Sequence, residues 1–187
     1  MDTKYLKLIK VGQYEYVTRL IGKRGAAMII PFMCCGEKGK ENYRLQLILS
    51  VRPTFDKPIL EFPAGLLDDD TESIEETALR ELKEETGWEG KVTKSNRLAS
   101  PSSSGLTDEV LFFVLIELIE RGETNHVGNE KITVLPLMSP SEIALYIKEH
   151  KDEIFVSSRL HAFLQGIEFE FYFKPMATDS EYKRSQS

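Results

Sequence analysis

Cysteine is nearly missing: the 187-residue chain has two, Cys34 and Cys35, side by side in an apolar run. An adjacent pair makes neither a disulfide framework nor a metal cluster. Both are expected to be buried, reduced core thiols of a protein in a reducing compartment. No apolar run approaches the roughly 20 residues of a membrane span. Residues 1–30 carry no signal-peptide pattern, an apolar segment behind a basic start. Both absences point to a cytoplasmic protein with no membrane partner. Repeats and low-complexity blocks are also lacking. So is an excess of positive charge: Lys and Arg number 24 against 30 Asp and Glu, a net −6. That balance argues against an electrostatic grip on nucleic acid or on an anionic bilayer. It leaves room for a small phosphate-bearing molecule, because a bound divalent cation can reverse a local field.

What is present suits one domain with its own core. At 41% hydrophobic and 29% charged residues, composition is that of an ordinary globular chain. Residues 1–24 read as a short β extension, 25–174 as the main domain and 175–187 as a polar tail. Alternation on either side of Gly12 predicts a hairpin over 4–24. Further strands are expected at 26–35, 43–52, 59–62, 92–100, 109–118 and 132–137. One helix starts at Ser73, where Ser73 and Glu76 fit a capping box, and stops at Gly87. A second runs from Ser139 with Pro140 at its first position to about His150, and a third covers roughly Ser157 to Gln165. Strands first, then strands mixed with helices, give an α/β or α+β class.

The helix from Ser73 raises the chemical question. Glu81, Glu84 and Glu85 fall within one arc of its surface, away from the apolar stripe Ile74–Ala78–Leu82. Like charges at such spacing cost a helix a few tenths of a kcal/mol per pair. Either water solvates them as a plain surface face, or a hard cation with oxygen ligands is to be held there.

The surrounding stretch, "EFPAGLLDDDTESIEETALRELKEETGWEG", resembles the Nudix box. Arg80, Glu81, Leu82, Glu84, Glu85, Gly87 and Trp88 match its second half in order, and Glu72 lies at the family distance before Arg80. Gly65 is displaced: six residues, Leu66 to Thr71, separate it from Glu72 where the family has five, so the loop carries a one-residue insertion. The resemblance implies a Nudix-type α/β/α sandwich with a mixed sheet. It implies Mg²⁺, with Mn²⁺ as the alternative ion, on Glu81, Glu84, Glu85 and the Ala64 carbonyl. Arg80 becomes the orienting partner of Glu72 or Glu84, or else an ordinary i,i+4 pair with Glu84.

Elements outside the box are similar to the ADP-ribose pyrophosphatase branch of the family: "EFPAG" (61–65), Arg52 in "SVRP", and "PSSSGLTDE" (101–109), in which Ser102–Ser104 are extra. This branch implies hydrolysis of ADP-ribose to AMP and ribose 5-phosphate by a homodimer. Arg52, Tyr14 and Glu61 would bind the small nucleotide substrate. Tyr14 would stack on adenine, or is simply a strand-face residue. Arg52 would fork onto a phosphate, or make a surface ion pair. Glu130, in the 122–134 loop, would bind metal or activate water alongside Glu84 and Glu85, or is a solvent-exposed loop carboxylate. His126 in that loop reads as polar surface or as a group titrating near neutrality. Alternatives are a pyrophosphatase for another nucleotide sugar or dinucleotide, and a non-catalytic ligand-binding regulator.

Overall fold

The computed structural model describes residues 3–21, 25–36, 42–68, 71–123 and 131–172. The predicted hairpin is there: β1 (Leu6–Val11) pairs antiparallel with β2 (Tyr14–Arg19), from Leu6↔Arg19 to Val11↔Tyr14. Its two-residue turn opens on Gly12, whose φ of 61° suits a residue without a Cβ.

The main domain is built around β3 (Ala26–Cys34), which runs parallel to β9 (Val110–Arg121). β8 (Trp88–Pro101) pairs with the far side of β9, while β4 (Tyr43–Leu45) and β7 (Ala64–Leu66) share the other edge of β3. A second mixed sheet has the order β10 (Lys131–Val134), β5 (Ile48–Val51), β6 (Ile59–Glu61) and β11 (Phe155–Val156). The three helices are α1 (Ile74–Thr86), α2 (Pro140–His150) and α3 (Ser158–Tyr172). None of the described helices is long and apolar enough to cross a membrane.

Period-two alternation along β3 divides the core in two. Ala27 and Ile29 join Ala78 and Leu82 of α1 with Val114, Ile116 and Leu118 of β9. Met28 points the other way, into a cluster with Leu60, Ile143 of α2 and Leu160 of α3. Helices therefore cover both sides, which is why β3 is a near-continuous apolar run. Pro31 is tolerated within it because β7 covers only Ala26–Met28 on that edge and β4 only Phe32–Cys34.

Several boundaries differ from expectation. The run 43–52 is two strands, because Leu45 pairs with Phe32 in one sheet whereas Ile48 pairs with Glu61 and Val134 in the other. Gln46 and Leu47 form the crossing. β7 and β11 are additional, β8 begins at Trp88 rather than 92, and α3 continues past Gln165 to Tyr172. Cys34 is a correction: it is exposed, and Cys35 half-buried, both as free thiols. The β3–β9 ladder ends at Phe32↔Glu117, so Cys34 lies beyond the cover that β9 supplies.

Candidate active site

Helix α1 carries the site, and its ends are set by sequence. Ser73 Oγ accepts from Glu76 N at 3.2 Å while Glu76 Oε2 accepts from Ser73 N at 2.8 Å, the reciprocal capping box. At the other end Gly87 takes the left-handed conformation, φ 75°, and its N–H reaches Lys83 O. The stripe Ile74–Ala78–Leu82 faces β3 and β9, which fixes the rotation of the helix.

That rotation brings the acidic side chains against β7 and the loop leading to α1. Glu85 is buried and its Oε2 accepts from Ala64 N at 3.1 Å. Gly65 packs on Glu81: a Cβ at position 65 would fall on Cγ, Cδ and Oε1 of the Glu81 side chain. The box glycine is therefore a steric requirement of the neighbouring carboxylate. Arg80 sits among the acids. Its Nε donates to Glu72 Oε1 at 3.0 Å and its Nη2 to Glu72 Oε2 at 3.2 Å, while Nη1 reaches Glu81 Oε1 at 2.8 Å and Glu84 Oε2 at 3.3 Å. Glu72 is thus the principal partner, and Glu84 a secondary one. Thr77, fully buried, donates from Oγ1 to Glu72 Oε2 at 3.0 Å.

Glu72, Glu81 and Glu84 all accept from one guanidinium, that of Arg80. Burial pushes the Glu81 carboxyl above the usual range; the Arg80 hydrogen bond and charge oppose this, and the charges of Glu84 and Asp68 add to it. Hydrogen bonds from Arg80 to Glu72 in turn hold the guanidinium protonated.

Among the described residues no three acidic, histidine or cysteine side chains close into a ligand cage. The reason is visible: Arg80 Nη1 lies with Glu81 and Glu84, and Glu85 is turned to the Ala64 amide. The donor set still fits a hard cation, being carboxylates beside a glycine that lets backbone approach them. Glu81, Glu84 and Glu85 are the side chains that could hold it. Ala64 meets the acids through its N–H, to Glu85, a contact that the expected role of its carbonyl did not include.

A second group lies upstream along the chain. Ser50 Oγ donates to Glu61 Oε1, and Arg52 Nη2 stands 3.8 Å from the same oxygen. Arg52, just past the end of β5, is therefore paired with Glu61, the last residue of β6. Tyr14 is elsewhere, on the hairpin, with 70% of its surface exposed. The hairpin meets the main domain at the 102–109 loop, where Val17 N donates to Leu106 O at 2.9 Å and Arg19 Nε to Glu109 Oε1 at 2.5 Å. Glu130 and His126 lie outside the described residues. His150 stacks on Tyr146, the role of a helix-face residue.

Sequence reasoning missed Ser50, Thr77 and the Gly65–Glu81 contact. Thr77 had a readable signal: it lies five residues after Glu72, three before Arg80, on the buried side of α1.

Comparison with known proteins agrees with this geometry. The NUDIX domain profile matches residues 26–157. The nudix hydrolase 2 of Caenorhabditis elegans is 34% identical over 131 residues, 66% of this chain and 57% of that protein. The ADP-sugar pyrophosphatase of Mus musculus is 42% identical over 67 residues, 35% of this chain and 30% of that protein. The ADP-ribose pyrophosphatase of Saccharomyces cerevisiae is 40% identical over 67 residues, 36% and 28% respectively. The chain thus spans between about a quarter and three fifths of these relatives. With the family profile covering most of its length, and the box acids gathered on α1 against Gly65, the chain belongs to the NUDIX domain family.

Proposed function

We propose that the chain is a divalent-cation-dependent hydrolase that cleaves the diphosphate of ADP-ribose with water, giving AMP and ribose 5-phosphate. The observation that carries this is the acidic face of α1, Glu81, Glu84 and Glu85, packed on Gly65 and Ala64 beside the Arg80–Glu72 pair. Mg²⁺, or Mn²⁺, bound to those carboxylates would neutralise the diphosphate and lower the pKa of a bound water. Arg80, anchored on Glu72, keeps Glu81 and Glu84 oriented. Arg52 lies beside Glu61 and would fork onto a phosphate oxygen. Glu130 is assigned as the proton acceptor for the attacking water by its place in the sequence. Little covalent chemistry is asked of the protein; positioning and electrostatics supply the rate.

Substrate choice rests on the relatives named for ADP-ribose and ADP-sugars, and on "EFPAG", Arg52 and "GLTDE". A panel of ADP-ribose, other nucleotide sugars and dinucleotides, read by phosphate release after added phosphatase, tests it. ADP-ribose or an ADP-sugar should give the highest kcat/KM. A dinucleotide far ahead of both would reassign the substrate.

Tyr14 is proposed to stack on the base. Stacking is worth about 1–3 kcal/mol per base in single-strand binders, so Tyr14→Ala is expected to raise KM about fivefold or more and to leave kcat nearly unchanged. An unchanged KM would return Tyr14 to the hairpin surface.

A homodimer fits the same hairpin. Leu6 and Leu8 on one side, Val11 and Tyr14 on the other, are exposed, and a two-stranded sheet is marginal by itself. Sedimentation is expected to give the mass of two chains; a monomer would remove the pairing. The free thiols of Cys34 and Cys35 suit a reducing, cytoplasmic setting.

A further inference from the structure

Gln46 is the polar side chain that the proposed mechanism does not use and that the core treats with most care. It is 1% exposed and stands at the crossing between the two sheets. Its Nε2 donates to Leu47 O at 2.9 Å and to Leu135 O at 2.6 Å, and its Oε1 accepts from Trp88 Nε1 at 2.8 Å. Its backbone N–H goes to Pro31 O at 3.1 Å, in the gap that β7 and β4 leave on the edge of β3.

These partners belong to separate elements of the fold. Trp88 directly follows Gly87, the C-terminal cap of α1, and its own N–H is tied to Thr86 Oγ1 at 3.2 Å. Glu84 and Glu85 occupy that last turn. Leu135 directly follows β10, and Leu47 directly precedes β5, the partner of β10 in the second sheet. A leucine could fill the volume of Gln46 in an apolar core. The amide adds direction: donors and acceptor aimed at three fixed points, in a buried setting where a satisfied network specifies one arrangement.

We infer that Gln46 is a positioning residue: its buried amide fixes the C-terminal turn of α1, with Glu84 and Glu85, relative to the second sheet at β5 and β10. The inference rests on the hydrolase reading above and adds to it the element that sets the helix acids relative to the sheet carrying Ser50 and Glu61.

The test compares the wild-type chain with Gln46→Leu, Trp88→Phe and the double variant. Three quantities are read: melting temperature, kcat and KM on ADP-ribose, and Mg²⁺ affinity by calorimetry. Gln46→Leu is expected to lower kcat about ten- to a hundredfold, the scale of a small misplacement of catalytic groups, with KM little changed and cation affinity weakened. Trp88→Phe cuts the link to α1 but leaves both amide donors engaged; it should lower kcat in the same way, and it keeps the test open if Gln46→Leu does not fold. The double variant removes donor and acceptor together, so it should regain the melting temperature lost through an orphaned indole N–H. Its kcat should stay low. Recovery of kcat together with stability, or wild-type kcat in Trp88→Phe, would reduce Gln46 to a packing residue and overturn the inference. A wild-type chain that hydrolyses none of the nucleotides but binds Mg²⁺ would sink the hydrolase reading alone. The positioning role would then stand or fall on whether Gln46→Leu weakens that binding. A wild-type chain that does neither overturns both.

Discussion

Glu85→Gln is expected to lower kcat by about 10²- to 10⁴-fold, the range for loss of a positioned ionic group at a reacting centre, while the fold persists. The amide has nearly the shape of the carboxylate. Its oxygen can still accept from the Ala64 N–H, the bond Glu85 now makes at 3.1 Å. What disappears is one negative charge at a buried position, 7% exposed. Removing a buried charge also removes its desolvation cost, which offsets what its partners lose, so the melting temperature should change little. Thermal melting and phosphatase-coupled turnover on the same preparation check both halves. Near-normal turnover with Mg²⁺ present would mean that Glu85 is not a ligand.

Gly65→Ala should separate activity from stability in another way. The added Cβ would land on the Glu81 side chain rather than on backbone. A flexible side chain can swing aside, so stability should fall by no more than the about 1–3 kcal/mol of a mild overpacking, a drop of about 2–4 °C per kcal/mol for a chain of this size. Glu81 would be displaced to make that room, and a ligand moved by about 1 Å can cost about a hundredfold in rate. The control is Gly166→Ala in α3, where nothing lies within 4 Å of an added Cβ and alanine is the better helix former. It should be neutral or mildly stabilising, with full activity. Full activity in Gly65→Ala as well would show that Glu81 need not stand where it does.

How much of this could be read beforehand follows from where the physics is local. The cap at Ser73, the stop at Gly87 and the stripe Ile74–Ala78–Leu82 are short-range signals, and α1 came out on them almost to the residue. The Arg80–Glu72 pairing is also local, eight residues apart around the start of one helix. Other features depend on what the chain meets later. The break at Gln46 exists because Leu45 and Ile48 find partners in different sheets. Strand β7 has three residues, and its pairing with β3 comes from the fold rather than from its own propensity. The exposure of Cys34 reflects where the β3–β9 ladder stops, which an apolar run cannot announce. Gly65 stood out in the sequence as a displaced motif glycine. Its actual constraint, the Glu81 side chain 16 residues on, became visible only once β7 lay against α1.

Hydrolysis at this site requires that the acids of α1 hold a divalent ion against a diphosphate. Calorimetric titration of Mg²⁺ into the wild-type chain and into Glu85→Gln, each alone and with a slowly cleaved ADP-ribose analogue, addresses this directly. Saturable uptake by the wild type, strengthened by the analogue and lost or much weakened in Glu85→Gln, is the predicted result. No uptake by the wild type in either condition, or equal uptake by both proteins, would contradict it.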